Sequence, residues 1–497
     1  MERWNHERSQ VHKKEPKTRK TNAPEIMRNI LDLKLDRDAR TPLAEQIRLG
    51  ITRAIENKVL VSGARLPSWV DLATQLGVAR GTVKAAYERL ADAQRVVSSR
   101  AGGTRVSDYS AVAAPARESA RSIESDLQSR LYQHFLPGPA VFQMGVPASD
   151  CFPAALFGRL RARAAREEVE APAAYPDPRG EHVLRREIAA HLALSRGIAC
   201  QPSQIFVAAG FTGALGVALH VLRVAGHKAW VENPGFLPAR MALTIRGCTP
   251  VPIPVDADGM NVEYGKQHAP DAALALVTAG QQAPLGPTLS LARRMRLIDW
   301  ANRTGAWIIE DDYLGELQLK RRAAPALVSQ DRTGRVIHIG TFSKTISPTL
   351  RLGFAVAPPA LVSRFEEAVA CLGSAPGPAV QLATAAFMRD AHYLRHLRRM
   401  KRVYAGRSDA LLTALDARGM QAYAAGLAVV VRLPDGADDQ RIAQEAYAYG
   451  LAPAPLSGCY CSTVTQRSGL LLGVATAIER QLPNACERLQ HLIRKFG

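Results

Sequence analysis

The stretch Gly340-Thr-Phe-Ser-Lys344, entered through the apolar run Val336-Ile-His-Ile-Gly340, decides how most of this chain is read. About thirty residues upstream stands Glu310-Asp-Asp-Tyr313, closing the run Gly305-Ala-Trp-Ile-Ile-Glu310. Short continuous apolar runs of this kind read as buried parallel strands. The residues that carry chemistry sit where the runs end, and open α/β sheets gather ligand groups at the carboxyl ends of their strands. A lysine, an acid and a tyrosine are thereby expected on one sheet edge. Working outward, apolar strands alternate with amphipathic helices from about residue 140 to residue 497, the pattern of an α/β domain.

Acid, tyrosine and lysine in this order have the layout of a pyridoxal phosphate (PLP) site. Such a site needs a lysine for a Schiff base, an acid facing the pyridine nitrogen, a phosphate cup and an aromatic wall. Lys344 is the candidate lysine, and burial beside a cofactor would lower its pKa so that it can lose a proton. Asp311, at a strand end, is placed to keep a ring nitrogen protonated, and Tyr313 to bond a ring hydroxyl. Arg351 and Thr341 fit a phosphate anchor. Ile205-Phe-Val-Ala-Ala-Gly210-Phe-Thr212-Gly213 reads as a strand, a small-residue loop and a helix start, whose free N–H groups can cradle phosphate. Taken singly, each feature is more often surface, loop or packing; their joint order carries the reading.

At the other end, residues 41–107 read as a winged helix-turn-helix. Pro42 to Asn57 spaces Leu43, Ile47, Ile51 and Ile55 four apart, an amphipathic helix. Ser68-Trp-Val-Asp71 opens a second helix with a capping-box pattern, ended by Gly77. Arg80-Gly-Thr-Val-Lys-Ala-Ala-Tyr-Glu-Arg-Leu90 would be the recognition helix, with Val83, Tyr87 and Leu90 inward. Arg80, Thr82 and Lys84 then lie at its exposed start, Arg80 suited to a guanine and Lys84 to a phosphate. Apolar stretches at Val96-Val97 and Val106 flank Gly102-Gly103-Thr104, the expected wing.

Composition agrees with a double-stranded DNA partner: the net charge is +19 over 497 residues. The chain is long enough for two or three domains, and 47% hydrophobic content supports a large core. No apolar run has membrane-span length, the longest, Ile205 to Leu219, being interrupted by Gly210, Thr212 and Gly213. The start of the chain has a Lys-rich stretch and no apolar signal region, and seven scattered cysteines fit a reducing compartment, so a cytoplasmic protein is expected. Cys459-Tyr-Cys461 lacks two further ligands, and no metal is expected. The organisation expected is a basic tail over 1–40, disordered to about Glu25, the DNA-reading domain over 41–107, a linker over 108–138 with a helix near Ser122 to Phe135, and a PLP-binding and dimerisation domain over 139–497.

Two resemblances sharpen this. Leu66-Pro-Ser68, Leu72-Ala73, Leu76-Gly-Val78, Thr82-Val83, Ala86-Tyr87 and Gly103-Thr104 resemble the GntR winged-helix family, with Ser68 and the wing pair Gly103 and Thr104 then joining the DNA-binding set. Tyr175-Pro-Asp-Pro-Arg-Gly180, Val231-Glu-Asn-Pro-Gly-Phe236, Ser290-Leu-Ala-Arg-Arg294, Glu310 to Tyr313, Gly340 to Lys344 and Leu350-Arg-Leu-Gly-Phe354 resemble fold-type I aminotransferases. Together they resemble the MocR/GabR regulators, which fuse the two. The resemblance implies that Lys344 is the aldimine lysine, Asp311 the pyridine partner, Tyr313 the ring-hydroxyl partner and Phe236 the wall over the ring. It implies a homodimer, with Tyr175 closing a pocket from a neighbouring subunit.

The departures matter as much. Val70 stands where the family has a DNA-contacting arginine, Ala79 where it has a capping Ser, and Gly81 loosens the same helix start. The loop Thr278-Ala-Gly-Gln-Gln-Ala-Pro-Leu-Gly286 differs at Ala279, Gln281, Ala283 and Leu285, and Phe211 and Thr212-Gly213 replace glutamines of the phosphate loop. No arginine for an effector carboxylate is evident: Leu470-Leu-Leu-Gly473 fills that strand with Arg467 only nearby, and Pro238 follows the aromatic wall with Arg240 beyond it. This points away from a plain amino acid as effector and toward PLP itself or an amine that reacts with it. The function expected is a transcriptional regulator whose aminotransferase-like domain serves as a sensor and not as an enzyme. An aminotransferase with an accessory DNA domain, and a DNA-binding protein whose second domain no longer holds cofactor, are the competing readings.

Overall fold

The computed structural model describes residues 35–39, 41–57, 59–99, 103–107, 140–319, 324–373, 375–461 and 466–497. The chain divides into two compact units near residue 125. The tail up to residue 34, the linker with its expected helix, and Gly102 of the wing lie outside the described residues.

In the N-terminal unit, α1 (Leu43–Glu56), α2 (Trp69–Leu76) and α3 (Arg80–Asp92) precede an antiparallel hairpin of β1 (Val96–Ser99) and β2 (Gly103–Val106). Ile47 and Ile51 on α1, Leu72 on α2 and Val83, Tyr87 and Leu90 on α3 are buried together with Val96 and Val106. The inward face of α3 is thus the one its spacing gives, whereas Val97 points outward and is 59% exposed. Ser68 accepts a bond from Asp71 N at 3.1 Å, and its hydroxyl bonds the Asp71 carboxylate at 2.7 Å, so only one half of a capping box forms. Ala79 caps α3 with no side-chain bond. Tyr87 Oη donates to Pro67 O at 2.9 Å, which fixes α3 against the segment leading into α2. Leu35, read from sequence as part of the tail, packs on this core, and Arg37 donates to Gly77 O. The five residues 35–39 are too few to show a hydrophobic period, so that contact was invisible in the pattern.

The C-terminal unit holds an eight-stranded sheet. In chain order its strands are β3 (Ile205–Ala209), β4 (Lys228–Asn233), β5 (Thr249–Asp256), β6 (Gly259–Met260), β7 (Leu274–Val277), β8 (Trp307–Asp311), β9 (Val336–Thr341) and β10 (Leu352–Val356). Spatially the order is β3-β10-β9-β8-β7-β4-β5-β6. β9, β8, β7, β4 and β5 run parallel, whereas β10 is antiparallel to both its neighbours. Helices cover the sheet, and its central strands are buried on both sides, which is why they read as unbroken apolar runs. A four-stranded antiparallel sheet follows, formed by β11 (Ala422–Ala425), β12 (Ala428–Arg432), β14 (Gly469–Gly473) and β13 (Ala454–Pro455) in that spatial order. No described helix is long and apolar enough to cross a membrane.

The reversed direction of β10 positions the site. Parallel strands bring their C-terminal ends to one edge; an antiparallel strand brings its N-terminal end there. Leu352 therefore pairs with Ala209 and Gly353 with Thr341. Arg351, just before β10, lands beside the end of β3 and the turn that carries Lys344. Gly353 makes this possible, because a Cβ there would lie 2.8 Å from the backbone of Gly210.

Candidate functional site

β3 runs straight into the helix Gly210–Leu222, without the loop expected from the small residues, and no side chain caps that helix. The N–H groups of its first turn are consequently unfilled by the helix and favour an anion. Arg351 projects here and donates to Ala209 O at 3.1 Å and to Thr212 Oγ1 at 3.0 Å. Thr341 closes β9, its hydroxyl donating to Ser343 Oγ and accepting from Ser343 N. Gly210, Phe211, Thr212, Thr341 and Arg351 thus meet at the β3–β10–β9 edge. Phe211 packs edge-on against Phe236, ring centroids 6.1 Å apart, so the residue expected as the aromatic wall borders the same helix start.

Lys344 is half-buried on the turn after β9, where its Nζ donates to Gly145 O at 2.8 Å. Gly145 has φ +81°, and a Cβ would stand 3.3 Å from that amine, so glycine keeps the approach open. Burial lowers the Lys344 pKa, and the Asp311 carboxylate opposes this only in part. Asp311 is 6% exposed, and its Oδ1 has no hydrogen-bond partner. Burial, then the neighbouring Asp312 and Glu232, push its pKa well up. Burial also raises the Tyr313 phenol, aided by the same carboxylates, so it stays a proton donor.

Sequence reasoning assigned no role to Glu232, on β4. It lines one cavity with Phe236, Arg240, Thr278 and Asp311. Thr278 donates to Glu232 through its hydroxyl at 2.5 Å and its N–H at 3.2 Å, so the altered loop 278–286 begins by holding this acid. Its signal was a charged residue inside the apolar run Ala229-Trp-Val-Glu232. Burial raises Glu232 from 4.5 to about 7. A raised folded pKa stabilises the fold below the unfolded value, and that contribution fades as pH climbs through the folded one. Wild type minus Glu232→Gln stability, measured by urea unfolding, should therefore fall by on the order of 3 kcal/mol between pH 4.5 and above 7. A flat difference would mean that the acid is ionised throughout.

Behind this pocket lies a second buried network that the sequence also left unread. Arg196 Nε donates to Asp312 Oδ2 at 2.7 Å, and His338 Nδ1 lies 3.0 Å from Glu310 Oε2. Glu310 also accepts from the N–H groups of Leu327 and Val328. Of the adjacent acids Glu310, Asp311 and Asp312, the outer two are engaged in the scaffold, while the middle one keeps a free oxygen toward the pocket.

These residues fit pyridoxal phosphate. An unbonded buried carboxylate oxygen suits a protonated ring nitrogen, a bare helix start with Arg351 suits a phosphate, and Lys344 suits a carbonyl. Tyr175 does not join them: it is fully exposed on the extended stretch after helix Ala154–Glu170. Among the described residues no cluster of side chains suits a metal. In the N-terminal unit Arg80 and Lys84 are exposed at the start of α3, Lys84 paired loosely with Glu88 at 3.7 Å. Ser68 is occupied by its cap, and Thr104 Oγ1 bonds Ser98 Oγ at 2.9 Å. Arg65, unremarked in the sequence, lies over Gly103, its guanidinium 3.1–3.5 Å from where a Cβ would be.

Comparison with known proteins agrees with both units. The profile of aminotransferase class I and II matches residues 156–489, and that of bacterial regulatory proteins of the gntR family matches residues 43–106. The probable rhizopine catabolism regulatory protein MocR of Rhizobium meliloti is 34% identical over 89% of this chain and 92% of its own length. The pyridoxine biosynthesis transcriptional regulator PdxR of Corynebacterium glutamicum is 32% identical over 73% of this chain and 76% of its own. An archaeal alanine:glyoxylate aminotransferase superposes with a TM-score of 0.67 at 23% identity, over 75% of this chain and 95% of that one. The α-aminoadipate aminotransferase LysN of Thermus thermophilus gives the same TM-score at 24% identity, over 75% and 96%. The structural matches establish the fold-type I aminotransferase architecture.

Proposed function

Because the chain belongs to the MocR-type helix-turn-helix transcriptional regulators, which join a GntR domain to an aminotransferase class I and II domain, we propose that it senses PLP, or an amine reacting with PLP, through Lys344 and alters its grip on DNA in response. The observation that carries this reading is the unbonded, buried Oδ1 of Asp311 on the same sheet edge as Lys344 and Arg351. When bound, PLP supplies an aldehyde that condenses with primary amines. The chain's own groups do the rest. Arg351 and the start of the helix Gly210–Leu222 hold the phosphate by charge and by N–H groups. Asp311 keeps the ring nitrogen protonated, Tyr313 donates to the ring hydroxyl, and Phe236 covers the ring. The half-buried Lys344 amine gives up its proton more readily than an exposed one would.

Such coupling requires that the ligand prefer one of two conformations with different DNA affinity. The full exposure of Tyr175 supports its use on a partner subunit, and a two-fold dimer would read paired half-sites. Operators selected from random duplexes should bind with an affinity that shifts several-fold when PLP, or PLP with an amine, is added. Identical affinity in every condition would rule out sensing. Turnover of amino donors at ordinary transaminase rates would favour the enzymatic reading, which the aminotransferase fold and Lys344 support.

On the selected operator, Arg80→Ala should weaken binding by about 1–3 kcal/mol and relax specificity at one position. Lys84→Ala should weaken binding to every sequence alike and lower the salt dependence by about one counter-ion. Swapped behaviour of the two variants would reverse their roles.

A further inference from the structure

We propose that Glu316 and Tyr393 are positioning residues for Lys344: a buried relay that starts at His191 clamps the turn carrying the lysine to the segment carrying Tyr313, and so holds the amine ready for the PLP aldehyde. This rests on the reading of the pocket as a PLP site. Four stretches that are distant in the chain meet here. His191 lies on the helix His182–Arg196, Glu316 in the segment after β8, Thr345 directly after Lys344, and Tyr393 on the helix His392–Asp416. His191 Nε2 contacts Glu316 Oε1, and Tyr393 Oη donates to Glu316 Oε2 at 2.5 Å. The same Oη stands 3.0 Å from Thr345 Oγ1. One helical turn beyond Tyr393, His396 Nε2 donates to Thr345 O at 2.7 Å, since a carbonyl only accepts. Thr345 and Tyr393 are 4% and 2% exposed, so these bonds are shielded from water.

The charges set the direction of the relay. Burial works against charge on both members of the His191–Glu316 pair, yet the attraction between them raises the imidazole pKa and helps to lower that of the carboxyl. Glu316 is therefore ionised and can only accept. Burial, then Glu316, hold the Tyr393 phenol well above its usual range, so it keeps its proton and gives it to the carboxylate. The Tyr393 oxygen is left to receive the Thr345 proton, at the end of a charge-assisted chain. His191, Glu316, Thr345 and Tyr393 line one cavity with Tyr313 and Thr341 of the cofactor set. Lys344 is thus fixed from two sides, by Gly145 at its amine and by Tyr393 and His396 at its chain neighbour. In the condensation with PLP the lysine nitrogen replaces the aldehyde oxygen, which leaves as water with two protons from the amine. That step needs a set approach of the amine, whereas holding the phosphate and ring through Arg351 and Asp311 does not.

The test uses full-length protein and two ligands, PLP and pyridoxine 5′-phosphate, which has an alcohol in place of the aldehyde. Calorimetry gives both affinities, and the visible cofactor band follows the covalent step. Tyr393→Phe keeps the ring, which packs edge-on against Phe342 and Phe387. It should bind PLP about tenfold more weakly and form the band more slowly, with wild-type affinity for pyridoxine phosphate. Glu316→Gln should behave alike, and the double variant no worse than either, because both act through one chain of bonds. Wild-type PLP affinity and band rate in both variants would overturn the proposal. So would an equal loss for the two ligands, or losses that add in the double variant, because the network would then be scaffold alone. If wild-type protein forms no band with PLP at all, the PLP reading itself fails and takes this one with it.

Discussion

Lys344→Ala should form no visible cofactor band with PLP, while its DNA affinity in the absence of small molecules stays that of the wild type. Only this amine is held at the edge where Asp311 and Arg351 meet, so no neighbouring lysine can replace it among the described residues. PLP should still bind, more weakly, through the phosphate cup and Asp311. The winged helix has its own core and does not depend on the lysine. Folding should not suffer, since the side chain donates one bond to Gly145 and carries a burial cost of its own. Spectra, calorimetry and fluorescence anisotropy on the selected operator check the three statements. The variant should also lose any change in DNA affinity on adding PLP with an amine. A band equal to that of the wild type would transfer the covalent role to another residue.

Arg196→Met should destabilise the C-terminal unit by about 3–5 kcal/mol, the largest stability effect expected of a single change here. Arg196 and Asp312 are almost fully buried, with side chains 1% and 5% exposed. Removing the guanidinium leaves a buried carboxylate with His338, at 3.9 Å, as its remaining ion-pair partner among the described residues. It also frees the Ala324 carbonyl, which Arg196 bonds at 2.7 Å. Burial already raises the Asp312 pKa against the pull of Arg196, so the variant should suffer less at low pH, where the acid is neutral. Adding Asp312→Asn should recover part of the loss, and denaturant unfolding of the two single variants and the double measures this. If the single change costs under about 1 kcal/mol, the pair is not a stabilising element.

Much of the fold was legible because its signals are local. Runs such as Val336 to Gly340 are apolar throughout because both faces of those strands are covered, and the spacing of Val83, Tyr87 and Leu90 is the inward face of one helix. Lys344, Asp311 and Tyr313 were legible because strand ends collect at one edge. The departures at Val70 and Ala79 were legible too, and the uncapped start of α3 is the direct consequence of the second.

What the pattern could not carry was pairing across distance. Glu232, on β4, and Thr278, just after β7, meet only through the order β7-β4. Arg196 and Asp312 are separated by several helices and strands in the chain, and Arg240 and Cys461 by most of the domain. Nothing in the sequence around Gly145 announces that its carbonyl receives the lysine. The sequence by itself determined two units of known kind and the chemistry each can offer, because side-chain type and local period are written along the chain. Only the tertiary structure decided which acid keeps a free oxygen and which acids are tied into the scaffold, because burial and partnership are set by groups that the chain brings together from far apart.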